Sequence, residues 1–468
     1  MKKTSVNQTE QILRGKNLWK NMILLSLPLF LNNLIRSFQG IIDTFFVARI
    51  FENPEQTQSA LAAVNLHDNV YNVFLAFGTG LAVATVAVIA QYLGANRKDK
   101  ANQYASLFVT LAIIIGIIIT LTVSLSAPFL VDALGATGDT AVFAREYFVI
   151  RSLEYSMVLF FMVYQAIRQA GGNTLKPTIL NICGIITNSL LIMLFVQILG
   201  WGMTGLAFST VIGNSIFIPL MVIDLVKSKK EVTISIKGLI PDQQRIKEIL
   251  PFALPAAAGQ AFSSAGFVVI NAFILFNFDD VVASSFAVGN RLSNLLMTPV
   301  VALSSVAAIY IGTNIGNKQP ERALASYKTS RNLAFGFSLI AITIAIPLRR
   351  FFINGLVGSG NYELTSIAMS FTFWLLLTQP FMALFQNYTA IFNGSGKSKN
   401  TLKIALARLW IFRIPTLLLL HFVFNLEYSS VWFAMLASNV LVLFVAEFLK
   451  RRTSLDVMVN INEEEVLA

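Results

Sequence analysis

The sequence predicts an all-α polytopic membrane protein, with twelve transmembrane helices in two pseudo-symmetric six-helix bundles. The first observation behind this is composition. Of 468 residues, 55% are hydrophobic and 13% charged, and the mean hydropathy of +0.68 exceeds what a soluble core of this length requires. The second is periodicity. Apolar runs of about 20 residues recur along the chain, each long enough to cross a ~30 Å hydrocarbon layer. The short alternating segments of a transmembrane barrel are absent, so the spans are read as helices. The third is an internal repeat, taken up below.

The elements follow in order. Residues 1–18 are polar over too long a stretch for the basic head of a cleaved signal and are expected to form a cytoplasmic arm. The first bundle, residues 19–226, has spans at roughly 20–50, 59–92, 104–129, 142–167, 177–199 and 203–226. Its connectors alternate: "FENPEQT" and "VDALGATGDT" carry no Lys or Arg, whereas "GANRKDK", "RQAGGNTLK" and "KSKK" do. A basic linker, residues 227–248, separates it from the second bundle, residues 249–450. There the spans fall at roughly 249–277, 281–313, 331–352, 363–392, 404–424 and 430–449. "NFDD" and "NLEYSS" alternate with the basic "GNKQPERALASYKTSR", "GSGKSKNTLK" and "KRR". The positive-inside rule then places both termini, including the tail 451–468, in the cytoplasm of a cell-membrane protein. The net charge of +11 is thereby topological and does not imply nucleic acid as a partner; the partners expected are the lipid bilayer and a small molecule. One cysteine, Cys183, excludes an internal disulfide framework.

The repeat is visible by eye. "QYLGANRKDKANQYAS" aligns with "TNIGNKQPERALASYK", pairing Gly94 with Gly316. "YQAIRQAGGNTLK" aligns with "YTAIFNGSGKSKN", pairing Gly172 with Gly396, and Pro28 corresponds to Pro255. The offsets are 222, 224 and 227 residues. An even number of spans in each half gives both repeats the same membrane orientation, an architecture suited to alternating access.

Few residues in the spans can carry chemistry. Asp43 stands among Ile and Phe, where a carboxylate costs ~2.5–3.5 kcal/mol at a helix centre in lipid. It reads as a proton or sodium site, or as a carboxylate near a helix end, hydrated or paired with Arg36 or Arg49. Burial disfavours the charged form, so such an acid can hold a proton when dry and release it when wetted. Pro28 and Pro255 lie inside spans, where each frees a carbonyl and permits a kink. His67 and Asp68 read as a relay or, more simply, as a solvated helix end. The 38 Phe and 12 Met suit a cleft for flat hydrophobic cations, although lipid-facing positions account for most of them. No nucleotide-binding motif, metal-ligand cluster or catalytic triad is apparent in the sequence, which disfavours a membrane enzyme and an ATP-driven pump and leaves an ion gradient as the energy source, with no cofactor.

Pro28 with "GIIDTFFVARI", "SALAAVNL" at residue 59, "GLAVATVAVIAQYLGANRKDKA", "YQAIRQAGGNTLKPTILNICGIITNSLL" and "GWGMTGLAFSTVIGN" together resemble the multidrug and toxic compound extrusion (MATE) family of cation-coupled antiporters. With their counterparts in the second half, these marks cover essentially the whole chain. The resemblance implies export of amphipathic or cationic compounds in exchange for protons or sodium. It puts Asp43 on the family's first-helix aspartate and Asn188 on the Asn of its N-x-x-x-D pattern, with Tyr147, Thr210 and, as a weaker match, Gln165 nearby. It also implies that the first-helix bend at Pro28 responds to protonation, the alternative being a fixed structural bend. Ile192, Ser263 and Met382 stand where relatives hold acids, so Asp43 is expected to be the one coupling carboxylate and the second bundle to lack an acidic site. The same superfamily contains flippases for lipid-linked saccharides. That alternative calls for several arginines and lysines in the cleft, and the basic residues are expected mostly in cytoplasmic loops.

Overall fold

The computed structural model describes residues 5–47, 50–51, 53–228, 231–357 and 362–459; within these, the side chains at 5–8, 38, 40–44, 236–237, 280 and 356–357 lie outside the description. Among the described residues there is no strand. The helices are α1 (Ser5–Arg14), α2 (Leu18–Val47), α3 (Pro54–Gly94), α4 (Lys98–Ala133), α5 (Gly138–Ser152), α6 (Glu154–Ala170), α7 (Leu175–Ile192), α8 (Gly202–Ser215) and α9 (Ile218–Lys227) in the first part. They continue as α10 (Gln243–Asn277), α11 (Asp280–Gly316), α12 (Pro320–Val357), α13 (Tyr362–Leu377), α14 (Gln379–Gly394), α15 (Ser398–Leu406), α16 (Ile414–Phe422) and α17 (Ser429–Arg451). Ten described helical stretches are long and apolar enough to cross a membrane, and the bent pairs α5–α6 and α13–α14 bring the number to as many as twelve.

Local chemistry sets the ends of these helices. α3 starts where Asn53 accepts a hydrogen bond from the Glu55 amide and Pro54 occupies the first helical position, which needs no N–H donor. α2 and α10 run through Pro28 and Pro255 as continuous helices. The chain divides into two compact units, one of Met1–Thr9 and Leu31–Ala253, the other of Glu10–Phe30 and Leu254–Ala468. α2 contributes to both, and Pro28 lies close to the changeover.

Within each unit the same arrangement recurs. In the first, α3 packs on α4, α5 and α6, and α4 packs on α5 and α6; in the second, α11 packs on α12, α13 and α14, and α12 packs on α13 and α14. The fourth span bends by 44° between α5 and α6, and the tenth by 46° between α13 and α14. The fifth and eleventh spans each contain a π-helical stretch, Met193–Ile198 and Ala407–Arg413. The loops agree down to the backbone. Asn96 (φ 59°) and Lys318 (φ 57°) turn left-handed at equivalent places, as do Gly172 (φ 83°) and Gly396 (φ 73°). In the last pair the amide after each glycine reaches back to the carbonyl five residues earlier, Asn173 to Arg168 and Lys397 to Phe392.

Small residues let the helices approach closely. A Cβ on Gly116 would lie 2.4 Å from the Ser156 Cα, so α4 and α6 touch there through backbone. The segment after α9 is docked on the first unit. Buried Arg168 places Nε 2.6 Å from Asp224 Oδ2 and donates to the carbonyl of Val232 at 2.7 Å. The Thr233 amide donates to Asn102, Ser235 to Ser106, and Thr110 to the Leu239 carbonyl.

Candidate functional site

Inside the first unit is a cavity of about 240 Å³, enclosed by α2, α3 and α5 to α9. Its polar lining comprises Arg36, Gln39, Tyr71, Arg151, Glu154, Asn181, Thr210 and Asn214. The bend of the fourth span brings Arg151 and Glu154 to it, one from each side of Leu153. Hydrogen bonds at Ser152 accompany that bend: its carbonyl accepts from Thr120 of α4 at 2.9 Å, and its hydroxyl bonds back to Val149 at 2.7 Å.

Arg151 and Glu154 form a buried ion pair, with Arg151 Nη1 2.9 Å from Glu154 Oε2. Asn214 also donates to Glu154 Oε2 at 3.0 Å. The Arg151 guanidinium faces the rings of Tyr147, at 5.6 Å, and Tyr71, at 5.9 Å. The ion-pair contact is close but poorly aligned. Arg151 Nε and Nη1 and Glu154 Oε1 therefore have no hydrogen-bond partner among the described residues, although each is buried. Such groups are costly unless satisfied, the carboxylate oxygen by a donor and the guanidinium N–H groups by an acceptor such as water.

Of the residues singled out from the sequence, three meet here. Asn188 is buried and donates to Thr210 Oγ1 at 3.2 Å, while its Oδ1 accepts from Gln39 at 3.4 Å. It thus joins α7 to two lining residues. Tyr147 stacks over the cavity's arginine. Gln165 is half-buried on α6, about three turns beyond Glu154, and is not among the described lining residues. The Asp43 side chain lies outside the described residues; its backbone is helical, one turn along α2 from Gln39.

The structure adds to the sequence reading at two points and changes it at a third. Glu154, which the sequence reading did not single out, is a further carboxylate of the first bundle: it is wholly buried and lines the cavity. Three basic residues, Arg151, Arg408 and Arg413, are buried within spans. His67 is not at a solvated helix end, since it is fully buried on α3 with its ring edge-on to Tyr147 and Phe148 at 5.2 Å. Asp68 alone, 3.4 Å away, is half-exposed. The signal for Arg151 and Glu154 was present in "REYFVIRSLEYS": opposite charges three residues apart inside an apolar run are neighbours on one helical face. Because they lie inside a span, a count of Lys and Arg in the connectors passes over them.

Comparison with known proteins agrees with the duplicated architecture. Residues 28–194 and 255–419 each match the family model for MatE. The chain is 22% identical over 455 residues to the multidrug export protein MepA of Staphylococcus haemolyticus (strain JCSC1435), covering 94% of this chain and 96% of that protein. It is 25% identical over 436 residues to the probable multidrug resistance protein NorM of Thermotoga maritima, covering 90% and 89%. Among solved structures, a MATE protein in complex with MaL6 superposes with a TM-score of 0.89 at 21% identity, covering 97% and 98%. The outward-facing conformation of a multidrug resistance MATE transporter of the MOP superfamily gives 0.87 at 21% identity, covering 94% and 97%. At this identity the structures speak for the fold.

Proposed function

Because the chain belongs to the MatE family of multidrug efflux transporters, we propose that it exports amphipathic or cationic organic compounds across the cell membrane in exchange for protons, by alternating access. The observation that carries the coupling site is the polar cavity of the first bundle. At about 240 Å³ it falls below the ~300–1,000 Å³ of pockets that enclose drug-sized ligands. It suits protons, water or a small ion.

The chemistry of the lining favours protons over sodium. A protein sodium site gathers several hard oxygens and a net negative charge. Here the guanidinium of Arg151, 2.9 Å from Glu154, neutralises the charge that sodium needs. In this reading Asp43 carries the proton, and Glu154 is held by Arg151 and Asn214. Asn188, Tyr147 and Thr210 position the polar groups around them. Both termini lie in the cytoplasm.

The test is substrate-elicited proton movement in proteoliposomes. Wild-type protein should alkalinise or acidify the lumen when a fluorescent cation is added, according to the direction of the exchange. Asp43→Asn, near-isosteric but unable to cycle a proton, should fold normally and give no signal. Wild-type proton movement in Asp43→Asn would remove Asp43 from the mechanism. The lipid-linked saccharide flippase gains one observation as a second reading, the arginines buried inside spans.

A further inference from the structure

Four arginines of the described helices are buried, and they fall into two classes. In the first unit each has a carboxylate: Arg151 has Glu154, and Arg168 has Asp224 and Glu231. In the second unit neither does. Arg413 is 2% exposed; its Nε donates to Ser438 Oγ at 2.9 Å and its Nη2 to Asn439 Oδ1 at 2.8 Å, both neutral acceptors, and its guanidinium faces the Phe267 ring at 5.7 Å. Arg408 is 6% exposed; it lies 4.5 Å from the Phe385 ring centre and donates from Nη1 to the Met382 sulfur at 3.1 Å. Its Nε has no hydrogen-bond partner among the described residues, and no described carboxylate comes within ion-pair distance of either arginine.

Snorkelling does not account for them. Counted from Lys403, the last residue of the basic connector, Arg408 is roughly 8 Å and Arg413 roughly 15 Å along the span, and both side chains are buried against protein rather than turned out to a helix end. Two cations at this depth without an anion are unfavourable, and one aromatic face each offsets only part of the cost. A thioether is a weak acceptor for a guanidinium whose planar fork matches a carboxylate or phosphate. Met382 is also unbranched and easily displaced. The internal repeat adds an independent point. At the 224-residue offset that relates Gly172 to Gly396, Arg408 is the counterpart of Gly184, which lines the cavity of the first unit. Both arginines lie on the π-helical stretch Ala407–Arg413, a feature that recurs at functional sites.

We propose that the second bundle holds an oxyanion-binding site, with Arg408 as the direct contact, Arg413 as the supporting charge, Met382 as the displaceable cover and Phe385 as the apolar wall. The ligand is the carboxylate, phosphate or sulfonate of an aromatic or amphipathic molecule, so the cargo includes anionic or zwitterionic compounds. This rests on the transporter reading above but not on the identity of the driving ion.

The experiment is equilibrium dialysis of the full chain in neutral detergent with 1-naphthyl phosphate, 1-naphthoate and 1-naphthylmethylammonium. The two anions should bind saturably and displace each other, and the ammonium should not compete. Arg408→Gln should weaken the anions about ten- to a hundredfold, as for the loss of charged hydrogen bonds. If Arg408→Gln does not fold, Arg408→Lys carries the test, with a charge but no fork and about a tenfold loss. No saturable anion binding by wild type, or wild-type affinity in the folded variant, overturns the proposal. Displacement of the probe by dihexanoyl phosphatidic acid would identify a lipid headgroup as the natural source, and no displacement a free organic anion; both outcomes support the oxyanion site. The assay uses no gradient, so its failure leaves proton coupling standing, and failure of pH-driven transport leaves the anion site standing.

Discussion

At Arg151 and Glu154 two opposite charges are held inside the first bundle, one wholly buried and the other nearly so. Such a pair contributes little net stability, because desolvation opposes the Coulomb gain, but removing one partner strands the other. Glu154→Gln should therefore lower stability by about 3–5 kcal/mol and impair coupled efflux. The double variant Arg151→Met with Glu154→Leu should recover most of the stability and none of the coupling. Thermal unfolding in detergent, beside efflux in proteoliposomes, separates the two effects; a double variant as unstable as Glu154→Gln would mean that the pair is not the reason for the loss. At this scale the sequence was legible where a charge stands alone. Asp43 is conspicuous among Ile and Phe, whereas Arg151 and Glu154, inside a span, are passed over by a count of Lys and Arg in the connectors. Asn188 was legible only through a resemblance, because nothing in an Asn on an apolar helix tells which neighbours, here Gln39 and Thr210, will meet it.

Between helices, backbone proximity decides where the site residues lie. Gly213 of α8 sits so close to α7 that a Cβ there would lie 2.6 Å from the Asn188 Cβ. Gly213→Ala should push α7 from α8, cost roughly 1–3 kcal/mol as overpacking and weaken coupling by displacing Asn188. Gly336, with nothing within 4 Å of its virtual Cβ, is the control: Gly336→Ala should be neutral or stabilising by up to about 1 kcal/mol, from helix propensity. Equal melting-temperature losses in both variants would contradict the packing argument. The spans themselves were legible, because hydropathy and length determine them. Their bends were less so. The tenth span breaks at Thr378, two residues before Pro380, which disfavours helix just upstream. The fourth breaks at Leu153 without a proline, beside a hydrogen bond from Thr120 on another helix, and a tertiary contact of that kind leaves no local mark.

In the whole molecule, duplication was the most legible feature, because it is written in loops whose left-handed turns constrain residue type: Gly172 and Gly396 adopt the same turn, as do Asn96 and Lys318. The divergence of the halves was harder to read. Each bundle buries arginines of its helices, but the first pairs them with acids and the second with neutral groups, a distinction of tertiary pairing that composition cannot express. The account assigns energy coupling to the first bundle and to protons. The most direct measurement is efflux of a fluorescent cation from proteoliposomes under an imposed pH gradient without sodium, compared with an imposed sodium gradient at equal pH on both sides. The account predicts efflux that follows the pH gradient, is indifferent to sodium and is abolished in Asp43→Asn. Transport that required sodium and ignored the pH gradient would contradict it.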